Sequence, residues 1–438
     1  MREELQGRAH EAVALALGLG ASGARAHASR SRALETVVRD GVLEKAQEST
    51  SRSLSLRVWI GRRCSGHSTN DLRPEALRPF VEEAVAITKA LEEDPFQDLP
   101  DPALYQGRPE VDLELADGTV MDNAAAAREA WGIAASEAAH ADPRVISAST
   151  FVSQSHDIGA LVASNGLSGH WEGTSLWGGA EVTVRDEGDA RPEAGFYGGG
   201  THKDRLPDAA AAGREALARA LERLGTGKGP TLKTTMIVDP RVSAQIVRRL
   251  LGAANAGSIS QGRSFYAGKL GQRMFAPSFT LLDDPLVRRG DGSRTFDSEG
   301  IAARPLPIVE EGVLRNVFVD TYYGRKAGLA PTTGSSSNLI VKPGTRSRDA
   351  LVQAAPKAVL VTGWLGGNSD ATTGDFSLGI RGHIVENGVV GPPVGEMNCT
   401  GNLVELFANL MEVGNDPWPY GSARVPTLVF DGVQFSGA

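Results

Sequence analysis

Residues 307–319 read PIVEEGVLRNVFV. Apolar residues stand on both sides of Glu311-Gly312, a pair suited to a two-residue turn whose central positions both need positive φ. The stretch predicts a β-hairpin. Two others share its grammar: GHIVENGVVGPPV (382–394) turns at Asn387-Gly388, and PTLVFDGVQF (426–435) turns at Asp431-Gly432. A run of antiparallel hairpins suggests a barrel or a strongly curved sheet. Helices over 241–251 and about 402–413 (NLVELFANLMEV) would pack on that sheet or plug it.

Upstream, LETVVRD and VLEKAQES flank Asp40-Gly41, a fourth hairpin signal, and SLSLRVWIG and CSGHST continue as strands. A helix follows over about 73–91, with Ser68, Thr69 or Asn70 available to cap it. Residues 92–110 hold four prolines and many acids, so they form a loop that wraps a surface, or a linker. An alanine-rich helix at about 121–140 precedes strand runs at 145–165 and 170–187. Gly198, Gly199 and Gly200 predict a loop, and a helix over 208–224 should end on Gly225. The short linker GTGKGPTLK places a domain boundary there, giving domains at 1–225 and 226–438. The fold class is α+β. It combines an N-terminal α/β domain of antiparallel strands and helices with a C-terminal open antiparallel β-barrel or curved sheet carrying packed helices.

The chain has 438 residues, 41% hydrophobic and 22% charged, as expected for a globular protein with a well-buried core. Its formal charge of -8 argues against nucleic acid as a partner, since phosphate binding needs a concentrated basic surface. Two cysteines, Cys64 and Cys399, cannot make a disulfide framework, which points to the cytoplasm. No apolar run approaches the ~20 residues that span a bilayer. The stretch AVALALGLGASGARAHA (12–28) has the outline of a signal peptide. However, Glu3, Glu4 and Glu11 make its surroundings acidic, and Leu5, Ala9, Ala12, Val13, Ala16 and Leu17 recur at helical spacing. An amphipathic helix is the expectation.

Chemistry is hard to find. The eight histidines are dispersed, and the closest pair, His156 and His170, is 14 residues apart, so no local zinc pair exists. His383 reads as a hydrogen-bonded strand residue. Cys399 precedes a helical stretch but has no histidine nearby as its base, so it reads as a small buried residue. Nucleophile elbows are absent, and GTGKGP lacks the spacing of a phosphate loop. The acidic pairs Asp283-Asp284 and Asp297-Glu299 read as solvated turns.

Several stretches together resemble one family. GRSFYAGKLGQRMF (262–275), FTLLDDP (279–285), FDSEGIAARPLPIVEEGVLRNVFVDTYYGRKAG (296–328), TTGDFSLGIRGHIVENG (372–388), EMNCTGNL (396–403) and MEVGND (411–416) occur in the order seen in the TldD/PmbA family. RDGVLE (39–44) and the helix after it also fit, so the resemblance covers essentially the whole chain. In that family the TldD type resembles a zinc metallopeptidase, with an H-E-x-x-x-H motif on a central helix and a C-terminal cysteine as a further ligand. The PmbA type, also called TldE, lacks those ligands and associates with TldD.

The metal-binding helix of the TldD type falls over roughly residues 247–254, where this chain reads VRRLLGAA within AQIVRRLLGAANA (244–256). Leucine, arginine and alanine stand where histidine and glutamate would. After GND the chain continues PWPYGSARVPTLVFDG, without the cysteine. The resemblance therefore implies the PmbA/TldE type, with no metal site and no catalytic residue of its own. Zinc is expected in a TldD-type partner. The implied function is that of a non-catalytic subunit acting on unfolded or small peptides. Asn368, Asp370, Thr373, Asp375 and Ser377, in a glycine-rich stretch, are the candidate substrate-binding residues, or else they close a polar loop. The alternatives are a stand-alone homodimeric peptide-binding or maturation protein, and a metallohydrolase built from His156, His170, His202 and His383. An acidic chain with no basic patch gives no support to an older reading of the family as a DNA gyrase modulator.

Overall fold

The computed structural model describes residues 1–437. The first half runs α1 (Arg2–Gly18), β1 (Gly23–Arg39), β2 (Val42–Ile60), β3 (Arg63–Thr69), α2 (Pro74–Lys89), α3 (Ala125–Ala139), β4 (Val145–Ala163), β5 (Ser168–Val184), β6 (Glu193–Gly200) and α4 (Ala209–Leu221). The strands form an antiparallel sheet in the order β3-β2-β1-β4-β5-β6. Side chains alternate across a strand, and here the alternation sorts them cleanly. Ala24, Ala26 and Ala28 of β1 pack beneath α1 and α2, and Val38 lies beneath Gly132 of α3. Arg25 and His27 point to the other face. Helix α1 buries Leu5, Ala9, Ala12, Val13 and Ala16 against the sheet, as its spacing requires.

Asp40-Gly41 makes the expected turn, with φ of 51° and 79°. Helix α2 is capped differently from expectation. Arg73 holds the N-cap position and Pro74 opens the helix, while Thr69 accepts from the Asp71 amide instead. The glycines at 198–200 are not a loop. They lie in β6, because neighbours come too close for a side chain: a Cβ on Gly198 would stand 2.5 Å from the Tyr420 ring, and one on Gly199 would stand 2.2 Å from the Leu176 carbonyl oxygen. Gly199→Ala should therefore cost about 1–3 kcal/mol. Gly7→Ala, in the exposed interior of α1 with nothing within 4 Å, should gain roughly 0.5–1 kcal/mol. Denaturant unfolding of both variants would show the opposite signs.

The second half runs β7 (Gly227–Lys228), β8 (Leu232–Val238), α5 (Pro240–Leu251), α6 (Ala256–Ser260), β9 (Leu281–Asp283), β10 (Leu306–Glu310), β11 (Val313–Leu314), α7 (Thr321–Ala327) and β12 (Leu339–Val341). It continues with α8 (Arg348–Gln353), β13 (Lys357–Ser369), β14 (Asp375–Glu386), β15 (Val389–Asn402), α9 (Leu403–Ala408), β16 (Leu410–Val413), β17 (Ala423–Arg424) and β18 (Leu428–Ser436). Glu311-Gly312 turns β10 into β11, and Asn387-Gly388 turns β14 into β15, all four residues at positive φ.

Asp431-Gly432 does not turn. Strand β18 runs straight through it, pairing with β8 on both sides of a register shift between Phe430 and Val433. Only Gly432 takes positive φ, 63°, so the pair is a bulge. Continuous pairing with β8 outweighs the local turn preference. For the same reason the helix expected through 413 stops at Ala408, and residues 410–413 pair with β18 as β16.

The curved sheet closes. The ring β18-β8-β13-β14-β15 returns to β18 through Asn398 opposite Ser436, Cys399 opposite Phe435 and Thr400 opposite Gln434. The β8–β13 pair is parallel and its neighbours in the ring are antiparallel. Phe430, Phe435, Leu378 and Ile380 from the ring share one buried cluster with Phe407 of α9 and with Ile246, Val247, Leu250 and Leu251 of α5. The α+β class and the packed helices are as expected.

Candidate functional site

Helix α5 begins where Asp239 caps it, accepting from the Arg241 amide at 3.0 Å, with Pro240 in the first turn. Its buried residues, Ser243, Ile246, Val247, Leu250 and Leu251, recur at helical spacing and face the barrel core. Arg248 and Arg249 turn outward. On the stretch where the resemblance would place a zinc helix, the inward side chains are thus hydrocarbon. The outward ones are guanidiniums, which have no lone pair to offer a metal. These residues do not fit zinc.

The other candidates do not converge on a metal site, although His170 and His202 both line one cavity. Cys399 lies inside the barrel 3.9 Å from the Met236 sulfur, and burial pushes its thiol up to about 12. A thiol held protonated is neither ligand nor nucleophile. His156 pairs with Glu172 at 2.8 Å, His202 with the Thr201 hydroxyl at 3.0 Å, and His383 with the Gly391 carbonyl at 3.0 Å. Among the described residues, no three His, Cys, Asp or Glu side chains converge as a metal site.

Asn368, Asp370, Thr373, Asp375 and Ser377 do come together, all exposed, at the tip of the β13–β14 hairpin. Most of their polar groups bond locally. Thr373 donates to Asp375 at 2.8 Å, Asn402 donates to Asp375 at 3.0 Å, and the Thr372 amide donates to Asp370 at 2.6 Å. These hydrogen bonds hold both carboxyls below their ordinary range. The tip lies beside the end of α5, whose Arg249 reaches the Gly367 carbonyl and the Ser369 hydroxyl at 3.5 Å each.

A larger feature escaped sequence reasoning. On the face of the first sheet opposite its helices lies a cavity of about 1400 Å³. Its floor includes Arg25, His27, Ser55, Arg57, Asp157 and Trp171. The Trp171 ring stacks near that of His27, with centroids 6.4 Å apart, and covers Gly159. The proline-rich segment wraps the molecule and walls one side. Tyr322 donates to Asp94 at 2.7 Å, Arg325 donates to the carbonyls of Phe96, Asp98 and Leu99, and the segment's continuation, 111–116, lines the cavity.

Residues 290–298 of the second half supply another wall. There the expectation of solvated acidic turns fails. Asp297 and Glu299 are 5% and 8% exposed, and Asp283 is 1% exposed. Asp297 accepts from the amides of Glu299 and Ile301, while Glu299 accepts from the Thr321 amide at 2.7 Å and its hydroxyl at 2.9 Å. Arg25 approaches Glu299 at 3.8 Å, so a first-half arginine meets a second-half acid at the cavity wall. One signal for the cavity was present in the sequence. GARAHAS (23–29) alternates alanine with arginine, histidine and serine, the pattern of a strand with one packed face and one polar face.

Comparisons with known proteins agree along the length of the chain. The PmbA/TldA metallopeptidase domain 1 matches residues 28–88, the central domain matches 122–224, and the C-terminal domain matches 231–437. The chain is 28% identical to the Haemophilus influenzae protein named Metalloprotease PmbA homolog over 408 residues, 90% of this chain and 88% of that one. It is 27% identical to Metalloprotease PmbA of Escherichia coli O157:H7 over 396 residues, 89% and 86% of the two chains. A Bacteroides thetaiotaomicron structure, whose name proposes it as a modulator of DNA gyrase, superposes with a TM-score of 0.95 at 35% identity, covering 99% of this chain and 98% of that one. TldE from Thermococcus kodakarensis shares the fold, with a TM-score of 0.84 at 19% identity, covering 98% and 100%. The stretch that carried the family's order of motifs and the architecture built from it thus agree, and this chain belongs to the PmbA/TldA metallopeptidase family.

Proposed function

We propose that this chain is the non-catalytic subunit of a TldD/TldE-type zinc metallopeptidase, working in the cytoplasm beside a TldD-type partner on unfolded or small peptides. The observation that carries the reading is α5. In a metallopeptidase family, the helix that the resemblance places in the zinc position buries Val247, Leu250 and Leu251, leaves Arg248 exposed and Arg249 half-buried, and offers no metal ligand. The partner would supply the metal and its activated water. This chain would shape the space in which the peptide lies. A cavity of about 1400 Å³ exceeds the usual size of a small-molecule pocket and suits an extended segment. The exposed hairpin tip at Asn368, Asp370, Thr373, Asp375 and Ser377, next to α5, is the proposed second contact with substrate.

The test is zinc content and cleavage of an unstructured peptide, for the purified chain alone and mixed with a TldD-type protein. The expected outcome is no zinc and no cleavage alone, with chelator-sensitive cleavage in the mixture. Stoichiometric zinc or cleavage by the lone chain would overturn the proposal. Peptide binding without cleavage in any mixture would favour a stand-alone binding protein.

A further inference from the structure

Arg25 of β1 and Arg57 of β2 stand directly opposite one another, and both line the cavity. Their guanidinium carbons lie 6.0 and 5.9 Å from the ring centroid of Trp59, an aromatic platform that tolerates two like charges side by side. The Arg25 side chain is only 12% exposed, and its Nη1 has no hydrogen-bond acceptor. Burial lowers the proton affinity of Arg25; Glu299 opposes this and the charge of Arg57 adds to it.

The nearby acids have little left to give. Glu299 lies at 3.8 Å, too far to accept from Arg25, and both its oxygens already accept from Thr321. Asp297 accepts from the amides of Glu299, Ile301 and Gly334 and from the Thr333 hydroxyl. Arg57 is exposed and makes no ion pair among the described residues. One buried guanidinium with an idle donor, beside a second that no carboxylate pairs with and that only the Cys64 thiol engages, is a donor set matched to a planar anion held by two forks.

We infer that this end of the cavity is a carboxylate seat, in which Arg25 and Arg57 hold the C-terminal carboxylate of a peptide lying along the cavity. The peptide rests on the function proposed above, whereas the seat itself rests on the two arginines. The cavity extends well beyond a single small anion, past Ser55 and His27 to Trp171, which gives the rest of a peptide a place to lie.

Calorimetric titration of the full chain with acetyl-pentaalanine, as free acid and as C-terminal amide, tests the seat. The free acid should bind at least about tenfold tighter, and Arg57→Gln should erase that preference. Arg57 is exposed, so that variant should fold, and circular dichroism would check it; Arg25→Gln is the second variant. Equal affinity for acid and amide in the wild type, or a preference that survives both substitutions, would overturn the inference. Acetate and inorganic phosphate form a separate arm. If either bound in an Arg57-dependent way while neither peptide bound, the anion seat would stand and the peptide reading would fall. Binding of none of these probes would overturn the seat.

Discussion

Replacing Asp239 by alanine is expected to destabilise the protein by about 3–5 kcal/mol, the usual consequence of removing one partner from a buried ion pair. Asp239 is 1% exposed and serves three groups at once. It accepts from the Arg241 guanidinium at 2.7 and 3.0 Å, pairs with Arg348 at 2.8 Å, and caps α5 through the Arg241 amide. Without it, Arg241, whose side chain is 17% exposed, keeps its charge and is left with only Glu222, at 4.0 Å, within ion-pair range. Helix α5 also loses its N-cap.

The same residue predicts a pH dependence. Burial alone would raise its pKa, but the hydrogen bonds and charges of Arg241 and Arg348 outweigh burial and hold the carboxyl below the ordinary aspartate value. A depressed folded-state pKa contributes stability that is present above the unfolded value, about 3.9, and is lost as pH falls through the folded one. The wild type should therefore lose stability below about pH 4, and Asp239→Asn should show a shallower loss over that range. Urea unfolding between pH 7 and pH 3 would decide it. Parallel pH profiles for the two proteins would reject the assignment.

The second large effect is expected at Glu299. Glu299→Ala removes the acceptor for the Thr321 amide and hydroxyl and, among the described residues, the one carboxylate within 4.0 Å of buried Arg25. Two buried donors and a buried charge are then left uncompensated, again about 3–5 kcal/mol. Glu299→Gln should cost less, because its carbonyl oxygen can still accept from the Thr321 amide while the charge opposite Arg25 is lost. Thermal unfolding of the three proteins should rank wild type, then Gln, then Ala. Equal stability of wild type and Ala would mean that Arg25 and Thr321 find other partners.

Much of the fold was legible because its signals are local. The type I′ turns at 40–41, 311–312 and 387–388 follow from residues that tolerate positive φ. The buried stripe of α5 can be read from spacing alone. The failures share one cause. Asp431-Gly432 suits a turn or a bulge equally well, and β8 selected the bulge. Gly198–Gly200 indicated freedom in the sequence, and Tyr420 and Leu176 turned it into close packing. Asp297 and Glu299 look like surface acids until their partners arrive from residue 321 and residue 25.

From the sequence by itself came the local conformations, the order of family motifs, and one chemical exclusion: no residue from Val247 to Ala254 can ligate zinc. Tertiary structure alone decided the closure of the barrel at 398–400 against 434–436, the cavity between the first sheet and residues 290–298, and the pairing of Arg25 with Glu299. The reason is physical. Backbone preference and amphipathic spacing act within a few residues and leave a pattern in the chain. Burial, strand partnership and charge compensation depend on groups far away in sequence, and only the folded chain brings those together.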